Sequence, residues 1–155
     1  AELFKKLHAV MQKANLYYQQ QLRHSDKAKN YLISRGLTGK IAKDFNLGFA
    51  PDGWTHLNKP MPSHEEQQLL TQAGMLKQKA ERTYDTFRHR IMFPIRNVRG
   101  HVVGFGGRSI DDTPPKYLNS PETVLFHKNN ELFGLFESKN TSLPVLGCIN
   151  PKLFA

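Results

Sequence analysis

The sequence predicts an α+β fold, with N-terminal helices packed on a small, mostly antiparallel curved sheet, and three observations predict it. Apolar residues recur at intervals of three and four through the first half of the chain. From about Met75 the period changes; from Arg90 apolar residues alternate, and a short turn separates a pair of alternating runs closely enough for antiparallel neighbours. At 155 residues with 39% apolar and 10% aromatic residues, the chain can own one hydrophobic core.

The elements follow in order. Leu3, Phe4, Leu7, Val10, Met11, Ala14, Tyr17, Tyr18 and Leu22 make the apolar stripe of a first helix. Ser25 can cap a second helix that buries Ala28, Tyr31 and Leu32 and stops at Gly36; Thr38 can cap a third carrying Ile41 and Phe45. Gly48-Phe49-Ala50-Pro51 breaks the helical pattern. A segment with Trp54, then Pro60 and Pro62, leads to a short fourth helix from Ser63 to Ala73, with Gly74 at its end.

In Arg90 to Arg96 the spacing predicts a strand with Ile91, Phe93 and Ile95 on a core face and Arg90, Met92, Pro94 and Arg96 on a basic one. Asn97-Val98-Arg99-Gly100 supplies a turn, and His101 to Arg108 returns with Val103 and Phe105 towards the core. Opposite lie Val102, Gly104, Gly106 and Arg108. The two glycines either make room for a ligand or another backbone, or mark a bulge or bend. Asp111 to Pro115 reads as a polar loop, Asn129 to Glu137 as a short helix burying Leu132, Phe133, Leu135 and Phe136, and the tail from Ser138 has no clear period.

Composition narrows the function. One cysteine, Cys148, leaves neither a disulfide framework nor a cysteine zinc site. No apolar run reaches the roughly 18 residues of a membrane span and no signal peptide opens the chain, so the expected setting is cytoplasmic and reducing. A net charge of +9 suggests an anionic partner, nucleic acid being the commonest. Six of the eight arginines (Arg82, Arg88, Arg90, Arg96, Arg99, Arg108) fall within 82–108, with no lysine and one acid, Asp85. A guanidinium grips phosphate bidentately and stacks on bases, which an ammonium cannot do. The competing explanation is a solvated strand face with salt bridges.

Other chemistries are poorly supported. Gly104-Phe105-Gly106-Gly107 lies in a hairpin strand, whereas a phosphate loop opens a helix. The seven histidines show no ligand spacing. Asp111 and Asp112 lack a third nearby carboxylate, and no nucleophile with its base is readable. What remains is a basic, aromatic-interleaved set: Arg88, Arg90, Arg96, Arg108, Lys116, Tyr117 and Lys128. These are ingredients of single-strand recognition.

Gly48-Phe49-Ala50-Pro51, Tyr84 to Ile95, Gly100 to Arg108 and Pro115 to Thr123, continued by Phe126-His127-Lys128 and Leu132-Phe133-Gly134-Leu135, together resemble the bacterial DnaG-type DNA primase family. The resemblance covers residues 1–137 and implies the N-terminal subdomain of the RNA-polymerase core. Residues 138–155 are then a tail or a truncated start of the neighbouring TOPRIM subdomain. It implies a portion of an enzyme, a DNA-directed RNA polymerase of the nucleotidyltransferase class that makes short RNA primers on single-stranded DNA.

By the same resemblance, Arg108, Lys116, Tyr117 and Lys128 bind nucleotide, and Arg35, Arg88, Arg90, Arg108, Lys116 and Asn119 bind DNA. Mg or Mn would enter through the TOPRIM carboxylates and zinc through a preceding module. Both segments are absent from this sequence, so no metal is expected in this fragment and it should not polymerise alone. Implied partners are single-stranded template, RNA primer, ribonucleoside triphosphates and a replicative helicase, with no membrane, in the bacterial cytoplasm at replication forks. Two rivals remain: a non-catalytic single-strand-binding module, and a structural domain whose arginines serve folding. Lys116 and Arg108 are both expected to be exposed, so that alanine at either would change stability by no more than about 0.5 kcal/mol.

Overall fold

The computed structural model describes residues 1–128. The helix expected at 129–137, the Leu132-Phe133-Gly134-Leu135 match, and the tail at 138–155 with Cys148 lie outside the described residues. Among the described residues four helices, α1 (Glu2–Arg23), α2 (Asp26–Ser34), α3 (Gly39–Asp44) and α4 (His64–Gln72), accompany six strands: β1 (Gly48–Ala50), β2 (Leu76–Lys79), β3 (Arg82–Asp85), β4 (Arg90–Arg96), β5 (Val102–Ser109) and β6 (Tyr117–Asn119).

The helices begin where side chains satisfy orphan backbone donors. Ser25 and Thr38 accept from the amides of Ala28 and Ile41. Ser63 and Glu66 form a reciprocal capping box on α4. Gly36 and Gly74 follow α2 and α4 in the left-handed region, at φ 79° and 80°. Burial of α1 starts at Leu7, so Leu3 and Phe4 stay 45% and 43% exposed, against the expected stripe. From Leu7 onwards α1 packs on β1, β5 and α4. A Cβ on Gly48 would lie 2.5 Å from the Tyr18 Cβ and 2.7 Å from its carbonyl carbon, so only glycine lets β1 approach the helix this closely.

The main sheet is antiparallel with strand order β1-β4-β5-β6; β2 and β3 form a separate hairpin. β1 pairs only with residues 90–92, so Pro94 falls where that flank of β4 is an edge and its missing N–H costs no ladder bond.

Register corrects the expected faces. Ile91, Phe93 and Ile95 pair with Arg108, Gly106 and Gly104, while Pro94 pairs with Phe105. Paired residues share a side, so the apolar triplet of β4 and Phe105 lie on opposite sides of the sheet. β4 has no open basic face either: Arg90 is buried at 6% exposure and Arg96 is half-buried. The reason is that both sides are covered. Tyr18 meets Phe105 edge-on at 5.3 Å on one side, and Phe126 lies over Gly104 and Tyr117 over Gly106 on the other. The strand glycines therefore accommodate the chain's own aromatic rings.

Candidate nucleic-acid interface

Asp85, at the end of β3, organises one wall of a cleft. Its carboxylate is buried and accepts from the backbone amides of His56 at 3.1 Å and Leu57 at 3.2 Å. Burial pushes its pKa up, while those two amides and the Arg88 charge pull it down. The Asp85 amide donates to the Trp54 carbonyl at 2.8 Å, and its carbonyl accepts from Arg88 Nη1 at 2.8 Å. One residue thus fixes both the Trp54 loop and the Arg88 side chain.

Arg88 then lies over two rings, 4.3 Å from the Trp54 centroid and 5.4 Å from that of Tyr84. Trp54 is itself edge-on to Tyr84 at 5.7 Å and is 66% exposed. A large aromatic held at that exposure by a guanidinium is a stacking platform open to solvent.

Beside it runs a cleft of about 340 Å³ whose walls include Lys77, Tyr84, Arg88, His89, Arg90 and Asp111. His89 has a left-handed φ of 54°, and its Nδ1 lies 3.0 Å from Asp111 Oδ2 and its Nε2 3.2 Å from Lys27 Nζ. With Lys27 donating to Nε2, Nδ1 carries the proton given to Asp111. The hydroxyl and then the amide of Thr113, the Ser109 hydroxyl and His89 hold the Asp111 carboxyl well below the usual carboxylate range.

Arg90 and Arg108 are placed differently from Arg88. Arg90 Nη1 lies 3.3 Å from the Gly107 carbonyl and 3.5 Å from that of Lys116. Burial, and after it the Arg88 charge, pushes the Arg90 pKa below the ordinary arginine value. Arg108, expected at the surface, is only 1% exposed. Its Nη1 donates to the carbonyls of Ser109 at 2.7 Å and Lys116 at 3.3 Å, and its Nη2 pairs with Asp112 at 3.2 Å. Register explains the burial: Arg108 sits between Ile91 of β4 and Tyr117 of β6, under the loop 110–116.

The other sequence-identified residues fall as follows. Lys116 is exposed, immediately before β6. Tyr117 is half-buried against Gly106, and burial pushes its phenol well up. Asn119, also half-buried, pairs with Gly106. Lys128 is exposed, with its amide on Glu122 at 2.8 Å. Arg35 caps α2, its guanidinium 5.4 Å from the Tyr31 centroid, and lines no part of the cleft. Arg96, once the Asn46 amide is oriented by its hydrogen bonds, donates to that amide oxygen through both Nη atoms at 2.8 Å.

Trp54, Tyr84, Lys77 and His89 were not singled out from the sequence. Trp54 carried one signal, as the only tryptophan and next to a glycine, but its exposure depends on Asp85, which is 31 residues further along. Asp111 and Asp112 do not fit a catalytic metal pair, because one is bound to Ser109, Thr113 and His89 and the other to Arg108. Among the described residues no three metal-ligating side chains cluster.

A helix-covered antiparallel sheet with Arg88, Arg90 and Tyr84 lining an open cleft defines an α+β domain with a cationic concavity. The family model for the DNA primase catalytic core, N-terminal domain, matches residues 17–139. The chain belongs to that family. The DNA primase of Pseudomonas putida is 48% identical over 139 residues, covering 86% of this chain and 21% of the relative. That of Legionella pneumophila is 47% identical over 133 residues, covering 84% and 23%. The chain therefore spans about a fifth of the length of these relatives. Among solved structures, a DnaG primase catalytic domain bound to single-stranded DNA superposes with a TM-score of 0.84 at 44% identity, covering 90% of this chain and 45% of that one. The Escherichia coli primase catalytic core gives 0.81 at 45% identity, covering 86% and 44%.

Proposed function

We propose that this chain is the template-holding portion of a DNA primase that synthesises short RNA primers on single-stranded DNA. The observation that carries this reading is the Arg88–Trp54 stack at the mouth of the cleft. It offers a ring face for a base and, in the same wall, cations for backbone phosphates. Residues 1–137 form this subdomain, and residues 138–155 are a tail or the beginning of a TOPRIM-type unit.

Arg88, Lys77 and Lys116 neutralise template or triphosphate charge directly. Arg90 and Arg108 act from beneath, by holding the backbone from which the Lys116 side chain projects. Tyr117 is placed by Gly106 to support β6, and Asn119 and Lys128 border the same strand and the segment after it. Arg35 is assigned to template beyond the cleft. Mg or Mn, zinc, and the helicase contact belong to other segments of the parent enzyme, and ribonucleoside triphosphates and the RNA primer meet this chain only at its cationic wall. The parent enzyme works in the bacterial cytoplasm at replication forks, and this chain alone binds single-stranded DNA weakly without polymerising.

Fluorescence anisotropy of a labelled single-stranded oligonucleotide across a salt series tests this. Salt-dependent binding, weakened by Arg88→Ala and Lys116→Ala at unchanged melting temperature, is expected. Binding indifferent to both substitutions would overturn the assignment of the cleft.

A further inference from the structure

A second concavity lies between the C-terminal half of α1, α2 and α3 and shares no lining residue with the Arg88 cleft. Its volume is about 510 Å³. The floor is aliphatic, formed by Leu22, Leu32 and Leu47, and at its mouth Ile33 is 67% exposed on α2.

The rim is cationic. Arg23, Lys29 and Lys43 all line the concavity, all are exposed, and among the described residues no carboxylate lines it. None of the three has a side-chain hydrogen bond or ion pair among the described residues. By contrast Lys6, Lys13 and Lys40 elsewhere on the helices are paired with Glu65, Glu66 and Asp44. Arg23 and Lys43 also stand in last turns of helices, where a cation is favoured. Lys29, in the middle of α2, has no such reason to be there.

We infer that this concavity docks a short acidic peptide segment of a partner protein, one that places an aliphatic or aromatic anchor between Ile33 and Leu47 and its carboxylates on Arg23, Lys29 and Lys43. Charge complementarity selects the acidic partner, and the floor selects peptide over nucleic acid: among the described residues it holds no aromatic ring on which a base could stack. Residues 129–155 of the chain itself are a poorer occupant, with two lysines against two glutamates and no net charge to offer the rim. An apolar anchor ringed by charge is the usual arrangement of a groove that takes an amphipathic segment.

The test uses the 155-residue chain and a fluorescein-labelled peptide in which aspartates and glutamates flank two leucines one helical turn apart. Saturable, salt-sensitive binding is expected. It should weaken roughly tenfold or more on Lys29→Glu with Lys43→Glu, on Ile33→Ser, and in a peptide with both leucines replaced by serine. Binding of labelled single-stranded DNA should not change in the Ile33→Ser protein. The substituted side chains lie at the surface, so melting temperatures should stay close to that of the unsubstituted chain. No peptide binding, peptide binding that ignores Ile33 and the leucines, or a parallel loss of DNA binding in Ile33→Ser would each overturn the inference; the last would assign the concavity to nucleic acid.

Discussion

Arg108 donates to the backbone carbonyl of Lys116 at 3.3 Å from a position that is 1% exposed, so one cation sits beneath another and fixes its base. The two residues, expected to behave alike, should therefore separate on substitution. Arg108→Ala removes one donor each from the Ser109 and Lys116 carbonyls, the latter keeping the Ser109 amide, and opens a cavity, and it should cost about 2 kcal/mol or more. Lys116→Ala should cost less than about 0.5 kcal/mol. Urea denaturation measures both, and equal stability losses would show that the buried geometry is wrong.

Trp54 is the only tryptophan in the chain, so its emission reports its own surroundings without ambiguity. If a base stacks on the exposed ring, single-stranded DNA should quench that emission, and Trp54→Ala should weaken binding by about 1–3 kcal/mol. An emission spectrum unchanged at saturating oligonucleotide would remove Trp54 from the interface.

Lys77 and Arg88 line the cleft, and each contact with a phosphate should show in the salt dependence of binding. For single strands the slope of log K against log salt changes by about 0.7 for each phosphate neutralised. Arg88→Ala and Lys77→Ala should each flatten the slope by about that amount, whereas Lys40→Ala, at a lysine paired with Asp44 on α3, should leave it unchanged. A steeper slope in either cleft variant would contradict the assignment.

The helices were legible in the sequence because their signals are local: Ser25, Thr38 and Ser63 each reach an amide three residues on. β1 and β6 were not, since three residues are too few to show alternation. The β2–β3 hairpin was missed because Lys77, Gln78 and Lys79 are all exposed and present no apolar face. The arginine concentration within 82–108 pointed to the segment that supplies Arg88 and Arg90 to the cleft. What it could not show is which arginines are presented and which are buried, because that depends on register with β5 and on cover from Phe126 and Tyr117.

The Tyr117 hydroxyl occupies the space that a side chain at Gly106 would need. Gly106→Ala should therefore destabilise the domain by about 1–3 kcal/mol through overpacking. Combining it with Tyr117→Leu should recover some of that loss, giving a favourable coupling energy in a double-mutant cycle. Strictly additive losses would mean that the ring does not rest on the glycine.

His8 of α1 stacks on His101 at the start of the returning strand, with ring centroids 4.1 Å apart and 21° between planes. Its Nδ1 is buried with no hydrogen-bond partner among the described residues, so a proton placed there finds no acceptor among them. Burial, and after it the neighbouring His101, pushes the His8 pKa below its ordinary 6.5. In the unfolded chain His8 takes its proton near the ordinary value; in the folded chain it does so only at lower pH. Between those two values the unfolded state binds more protons, so stability falls as the solution is acidified through that window. His8→Phe keeps a ring against His101 and removes the titration. The drop in melting temperature between about pH 7.5 and about pH 5.5 should then be smaller in the variant than in the unsubstituted chain. Identical drops in the two proteins would place the acid sensitivity on another group.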